Sequence, residues 1–271
     1  MTVPLIVNTS IDDSITHKIL IAGPGKVGTC SLQDSMKACG YLLYGERKWL
    51  SQRDSNDIYN NKCNTVFQAH DSQNISDICD KLLESTEDKI FVFLGARDMM
   101  RREISAFFQL AVDWDFKKNA KIDYEYNLQD LYDQFNKYTR SNVKMLTWLG
   151  DFCDKMGIDS DDMISYAEIV QKQGFHIVQK NDRLSFIFYR LEDLYNSWDR
   201  ITFYNKLNRL QGSILFTSNN SIDKTTDIIY KKFLSSYKPP QDIVDSVYSY
   251  DLNKFYSDKY IQEQKEYWKN R

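Results

Sequence analysis

The chain has 271 residues, 42% of them hydrophobic and 14% aromatic, with 10 glycines, 4 prolines and a formal net charge of −3. That is enough apolar material for a sizeable core rich in Tyr and Phe, and the scarcity of Gly and Pro excludes a linker-like or low-complexity chain. The weak negative charge excludes a global basic field for nucleic acid or an anionic membrane, so any polyanion binding must be local.

The five cysteines, Cys30, Cys39, Cys63, Cys79 and Cys153, are odd in number and lack metal-ligand spacing. They read as free thiols of a reducing compartment. The opening Met1–Val7 is apolar but short, and Asp12 and Asp13 follow without a basic n-region, which is not a signal peptide. No apolar run approaches the length of a membrane span. The expectation is a cytoplasmic protein with no membrane span and no nucleic-acid partner.

In chain order, Lys18–Ala22 reads as a buried strand of the parallel-sheet type. It stops at Gly23-Pro24-Gly25-Lys26-Val27-Gly28, and a helix follows from about Thr29 to Cys39, with Gly40 placed to end it. Tyr41–Tyr44 is a candidate short strand. Gly45–Asn61 has no clear periodicity. Thr65–Ala69 is a second strand ending at His70-Asp71, and Asn74–Glu84 is helical. Lys89–Leu94 is the clearest buried strand; Gly95-Ala96-Arg97 ends it, and Asp98 caps a helix running to about Val112. Alternation of strand and helix predicts a parallel sheet with right-handed crossovers. Ligands of such sheets sit beyond the carboxyl ends of the strands. Lys26, His70 and Arg97 each follow a predicted strand, so all three are expected along one sheet edge.

Trp114–Tyr126 is charged and irregular. Leu128–Tyr138 and Asn142–Met156 read as helices, Phe175–Gln179 and Ser185–Tyr189 as strands joined by a turn, and Glu192 opens a helix to about Leu210. Ile214–Phe216 is a candidate strand. Asp223–Tyr237 is helical until Pro239-Pro240, and a last helix runs from Ser257, its N-cap, to Trp268. No domain boundary is evident, so residues 1–271 read as one α/β domain. The expected architecture is a P-loop-like three-layer sandwich with a central parallel sheet flanked by helices. The helical middle reads as an insertion forming one wall of a cleft.

Strand, glycine loop and helix together make an anion site. Glycines allow close backbone approach, and the first helical N–H groups have no intrahelical partner. The dipole and Lys26 add positive potential. The loop is not a Walker A sequence: counted from Gly23, the second glycine is Gly28, and Thr29 stands where the lysine belongs.

Gly25-Lys26-Val27-Gly28-Thr29-Cys30-Ser31 resembles the loop by which sulfotransferases hold the 5′-phosphosulfate of PAPS (3′-phosphoadenosine 5′-phosphosulfate). Arg97 and Ser105 stand at the separation of the Arg and Ser with which that superfamily grips the 3′-phosphate. Eight residues apart, they would lie roughly 80° from each other if both were helical, so Arg97 is expected to reach from the loop. Within the superfamily, the likeness is greatest to the capsular-polysaccharide-synthesis branch. Lys26–Leu32 is similar to its "GKVGSSS" loop, Arg97–Gln109 to its "RDP…R-x-ISAFFQ" segment, Tyr189–Leu194 to the "RLEDL" strand end, and Phe255–Asp258 to its late "FYS" motif. Departures are Met99 in place of Pro, Cys30 in place of Ser or Thr, and no Arg-Lys-Gly near the C-terminus; Arg101, Arg102 or a C-terminal Lys is the candidate replacement.

The resemblance implies a PAPS-dependent sulfotransferase that needs no metal and modifies a hydroxyl of a carbohydrate or polysaccharide, with PAP as product. Lys26 and His70 would be catalytic, and Gly25 through Ser31 (Gly25, Lys26, Val27, Gly28, Thr29, Cys30, Ser31) with Arg97 and Ser105 would bind the nucleotide. His70 precedes Arg97 by 27 residues, and a neutral imidazole suits a general base near neutral pH. Glu46 is the alternative base. Against these stand simpler readings: His70 as a strand-end histidine, Glu192 and Asp193 as helix-start charges, and Phe107-Phe108 as core. The other functional readings are a non-catalytic binding or scaffold protein of the same fold and a P-loop nucleotide kinase.

Overall fold

The computed structural model describes residues 17–44, 64–70, 72–85, 87–109, 127–142, 145–205, 207, 209–215 and 227–271. Glu46 and the irregular stretches 45–61 and 114–126 lie outside these residues. At the centre is β1, His17–Ala22, buried along its whole length. A strand buried on both faces needs no polar alternation, which is why it reads as one apolar run. Around it the sheet runs β2 (Leu42–Tyr44), β3 (Thr65–Ala69), β1, β4 (Lys89–Ala96), β6 (Leu184–Arg190) and β5 (Phe175–Gln179) in spatial order.

Five strands are mutually parallel. The edge strand β5 is antiparallel to β6, as the turn expected between them requires, so the sheet is mostly rather than wholly parallel. The cause is the short connection, since only an antiparallel pair can close through a tight turn. Asn181 Oδ1 accepts from the backbone N–H of Arg183 at 2.9 Å and of Leu184 at 2.8 Å, a side-chain-made turn that starts β6.

Helices cover both faces. Ile19, Ile21, Val66 and Phe93 pack with Leu32 of α1 (Thr29–Ala38) and Trp198 of α7 (Leu191–Tyr204). Leu20, Ala22, Phe67 and Val92 belong to the larger core on the other face. That face is covered by α2 (Ser72–Ser85), α3 (Met99–Phe107), α4 (Leu128–Ser141), α5 (Trp148–Met156) and α6 (Ser160–Gln173), and by the C-terminal α8 (Asp227–Ser236), α9 (Gln241–Val247) and α10 (Asp258–Lys269). The arrangement is a three-layer α/β sandwich with a thin and a thick helical layer. The middle helices are part of the thick layer: Phe152 packs edge-on against Phe186 of β6, and Phe135 joins the same core through Phe107 and Phe233.

Several elements differ from expectation. The helix expected over 142–156 begins only at Trp148, because Asn142 already closes α4 as its C-cap. Helix α6 was not anticipated, although Asp159 caps it by accepting from Asp161 N–H and left-handed Gly174 ends it. Ile214 and Leu215 are not in a strand. After Pro239-Pro240 a further helix, α9, starts directly with Pro240 as its N-cap. Among the described residues no helix is long and apolar enough to cross a membrane.

Candidate anion site at the carboxyl edge of the sheet

Because β1, β3, β4 and β6 are parallel, their carboxyl ends share one edge. The glycine loop leaves β1 there, His70 follows β3, Arg97 follows β4, and α7 begins where β6 ends. The expected juxtaposition of Lys26, His70 and Arg97 is therefore present, and it can be followed bond by bond.

The five consecutive carbonyls of the loop are each held by a side chain. His70 Nδ1 lies 2.8 Å from Gly23 O. Arg102 donates through Nη2 to Pro24 O and through Nε to Gly25 O at 3.4 Å. Arg97 Nη1 donates to Lys26 O at 3.4 Å, and the Tyr189 hydroxyl to Val27 O at 2.9 Å. There is no cis peptide bond among the described residues. In a planar trans peptide the N–H lies opposite the C=O. The N–H groups of Gly25, Lys26, Val27 and Gly28 are therefore each turned away from the side chain that holds the preceding carbonyl.

The backbone supports the same reading. Gly25, Lys26 and Gly28 have φ of 81°, 63° and 89°, and Lys26 is the only non-glycine with positive φ among the described residues. A left-handed lysine is strained by roughly 1–2 kcal/mol relative to an ordinary conformation. Successive N–H groups in such turn conformations form an anion-binding concavity. Gly28 also serves as N-cap of α1 without a side-chain cap, and no acidic residue sits in the first turn. The first turn of α1 thus brings no carboxylate of its own to the positive end of the helix.

Each holder has its own support. Arg102 is buried, and its third nitrogen, Nη1, donates to Glu103, which is fully buried; Glu103 Oε2 accepts from Asn142 Nδ2 at 3.0 Å. Tyr189 reaches Val27 because the facing residue on β4 is Gly95. A Cβ there would stand 2.5 Å from the Tyr189 ring. Since a carbonyl can only accept, His70 Nδ1 carries hydrogen. In the neutral ring Nε2 is then the acceptor nitrogen, and Gln68 Nε2 lies 3.1 Å from it. The backbone carbonyl of His70 accepts from Trp148 Nε1 at 3.1 Å, tying α5 to the edge.

Beside the loop lies a second network. Asp98 is buried and caps α3, its Oδ1 accepting from Arg101 N–H at 2.9 Å. Its Oδ2 accepts from the hydroxyls of Tyr248 at 3.0 Å and Tyr260 at 3.3 Å. Glu192 accepts from Asp98 N–H at 3.0 Å and from the Tyr256 hydroxyl at 2.7 Å. Burial raises the Asp98 carboxyl above the usual carboxylate range, opposed by the bonds from Arg101 and Tyr248. Glu192 and Asp193 do lie in the first turn of α7, as the simpler reading had it, and Asp193 pairs with Arg190 at 2.5 Å.

The remaining predicted residues are placed as follows. Thr29 and Ser31 are buried in the first turn of α1, and Cys30 is half-buried between them. Ser105 is half-buried in α3 and makes no side-chain hydrogen bond to Arg97 or the loop among the described residues. Arg101 is exposed, whereas Arg102, a candidate for a missing phosphate contact, is turned into the loop carbonyls instead. Phe107 and Phe108 are core, edge-on to Phe135 and to Phe233 respectively. Tyr189 and Trp148 have no role in the site that is legible in the sequence, whereas Gln68 stands only two residues from His70. Tyr189 and Trp148 act through partners 162 and 78 residues away in the chain, which no local spacing encodes. No family model matches the chain, and none of the curated proteins matches it.

Proposed function

We propose that the chain is a PAPS-dependent sulfotransferase whose acceptor is a carbohydrate hydroxyl. The observation that carries this reading is the glycine loop at the carboxyl edge of β1, its carbonyls held by side chains and its next N–H groups turned away from them. With Lys26 in the loop and Arg97 beside it, that is a site for an anion with more than one charged group. Among the described residues Arg97 has one hydrogen bond, at 3.4 Å to Lys26 O, and its further N–H groups suit a 3′-phosphate.

In this reading the N–H groups of Gly25 through Gly28 and the first turn of α1 bind the 5′-phosphosulfate of the donor, and Arg97 with Ser105 binds its 3′-phosphate. The acceptor hydroxyl oxygen forms a bond to sulfur as the bond from sulfur to the phosphate oxygen breaks. Its proton goes to His70 Nε2, and Lys26 neutralises the charge that grows on the departing PAP. The protein's contribution is in-line positioning and fixed electrostatics.

Gln68 on His70 Nε2 favours a second reading, a non-catalytic binding protein using the same site. A nucleotide kinase is the third, and it predicts Mg²⁺-dependent ATP binding. A thermal-shift comparison separates them: stabilisation by PAP with sulfuryl transfer from PAPS supports the enzyme, PAP stabilisation without transfer the binding protein, and a response to Mg²⁺-ATP alone the kinase. Lys26→Ala is expected to lower transfer by about 10²-fold or more, and Arg97→Ala to weaken PAP binding chiefly. Wild-type PAP affinity in both variants, read by calorimetry, overturns the site assignment.

A further inference from the structure

We infer that Arg102 is the positioning residue of this site: it sets the shape of the glycine loop without touching the bound anion. The loop is held at five carbonyls, and Arg102 alone holds two of them, those of Pro24 and Gly25. They flank the point where the chain enters its left-handed stretch at Gly25 and Lys26. All three guanidinium nitrogens are occupied, since Nη1 is on Glu103. Three of its five N–H groups are used in this way, one on each nitrogen, which fixes the orientation of the fork toward the loop and Glu103.

The support behind it is buried and directional. Glu103 is fully buried, and its second oxygen takes Asn142 Nδ2 from the end of α4. Position of α4 is in this way transmitted through Asn142, Glu103 and Arg102 to the loop. A planar fork is needed for the geometry. Lysine offers a single point of donation and cannot reach two carbonyls and a carboxylate at fixed angles. Charge-assisted bonds to carbonyls are the stronger class of hydrogen bond, so loss of this pair frees the strained segment rather than merely loosening it. Tyr189 and His70 hold the two ends of the loop, at Val27 and Gly23, and leave the middle to Arg102 and Arg97.

This inference rests on the proposed function only for the choice of PAP as ligand, so the test has one readout that needs no nucleotide. Removing Arg102 alone would strand a buried carboxylate and threaten folding; the variant is therefore Arg102→Met with Glu103→Gln, which keeps volume and removes both charges. Amide hydrogen exchange is followed by mass spectrometry over the segment Gly23–Leu32, in which Leu32 N–H donates to Gly28 O at 3.1 Å, with the β1 and β4 segments as internal reference, and PAP affinity is measured by calorimetry. The expected result is faster loop exchange by about 10-fold or more with unchanged strand exchange, and PAP affinity weakened about 10-fold to 100-fold, the size of one or two lost charge-assisted bonds. Arg102→Lys, which leaves Glu103 paired, is expected to show the same loop exchange and not to restore affinity. Loop exchange and PAP affinity within about twofold of wild type, in either folded variant, overturn the inference, and so does restoration by Lys. A uniform rise in exchange across loop and strands would mean general support and also overturns it. If the wild-type protein binds no PAP, the proposed function fails while the exchange readout still decides the role of Arg102.

Discussion

Two polar networks lie side by side at the carboxyl edge of the sheet, and they are built in opposite senses. Around Gly23–Val27, side chains donate to backbone carbonyls. Around Asp98, backbone and tyrosine hydroxyls donate to carboxylates. The first network fixes a backbone shape and turns amide hydrogens away from its holders. The second fills the oxygens of Asp98 and Glu192 with donors from α3 and the C-terminal segment, and so fastens distant parts of the chain together. Damage to the first should show in ligand binding with stability little changed, and damage to the second in stability with the loop little changed.

The strongest way to break that contrast is Asp98→Ala. It removes the α3 cap and orphans the buried Tyr248 hydroxyl, and is expected to cost about 3–4 kcal/mol of stability. Chemical denaturation measures this, and loop exchange in the surviving folded protein should match wild type. Altered loop exchange would merge the two networks into one.

The amino edge sharpens the contrast through pH. His17 is buried there, its backbone N–H on Asn64 Oδ1 at 2.7 Å and its ring edge-on to Phe91. Burial, with Lys89 nearby, pushes the imidazole down to about 4 from 6.5. The unfolded chain then binds the proton first, so stability is fully present above pH 6.5 and falls as pH drops toward 4, by about 3 kcal/mol in all. Asp98 has the reverse sign: its carboxyl is raised by burial, so the folded state holds that proton more tightly and stability falls as pH rises above the ordinary carboxylate value. Denaturation midpoints across pH 4–7 should lose most of their acid slope in His17→Gln and become steeper in the acid direction in Asp98→Asn. An unchanged acid slope in His17→Gln would place the sensitive group elsewhere.

The smallest expected effect is the most pointed. Lys26→Gly relieves the left-handed lysine but adds unfolded-state freedom, for a net gain of about 1 kcal/mol or less. A gain in midpoint together with lost sulfuryl transfer would mark Lys26 as strained for function. A loss of stability would mean that the lysine side chain supports the fold.

What could be read from the sequence divides along the same line. β1 and β4 are legible because strands buried on both faces are continuous apolar runs, and the loop is legible because left-handed turns need glycine. Asp98 is legible as a cap because its partner, Arg101, is three residues away. Helix α6 escaped because its buried side is thin, only Met163, Ala167 and Val170. The antiparallel β5 follows from a turn that was visible, yet direction within a sheet is not a local property. That Tyr189 and Arg102 hold the loop was hidden for a different reason. Tyr189 is 162 residues from Val27 and Arg102 is 78 from Pro24, so residue type alone suggested a ligand-binding arginine where the fold has a backbone-binding one.

Gly95 and Tyr189 face each other across β4 and β6, with no room for a Cβ at 95 beneath the ring. One position therefore limits what the other can become in descent. A side chain gained at 95 must be preceded by a smaller residue at 189, and that intermediate gives up the hydroxyl on Val27 O. Divergence at this edge must pass through a form with a looser loop, or leave both positions untouched, and the two behave as one inherited character rather than two.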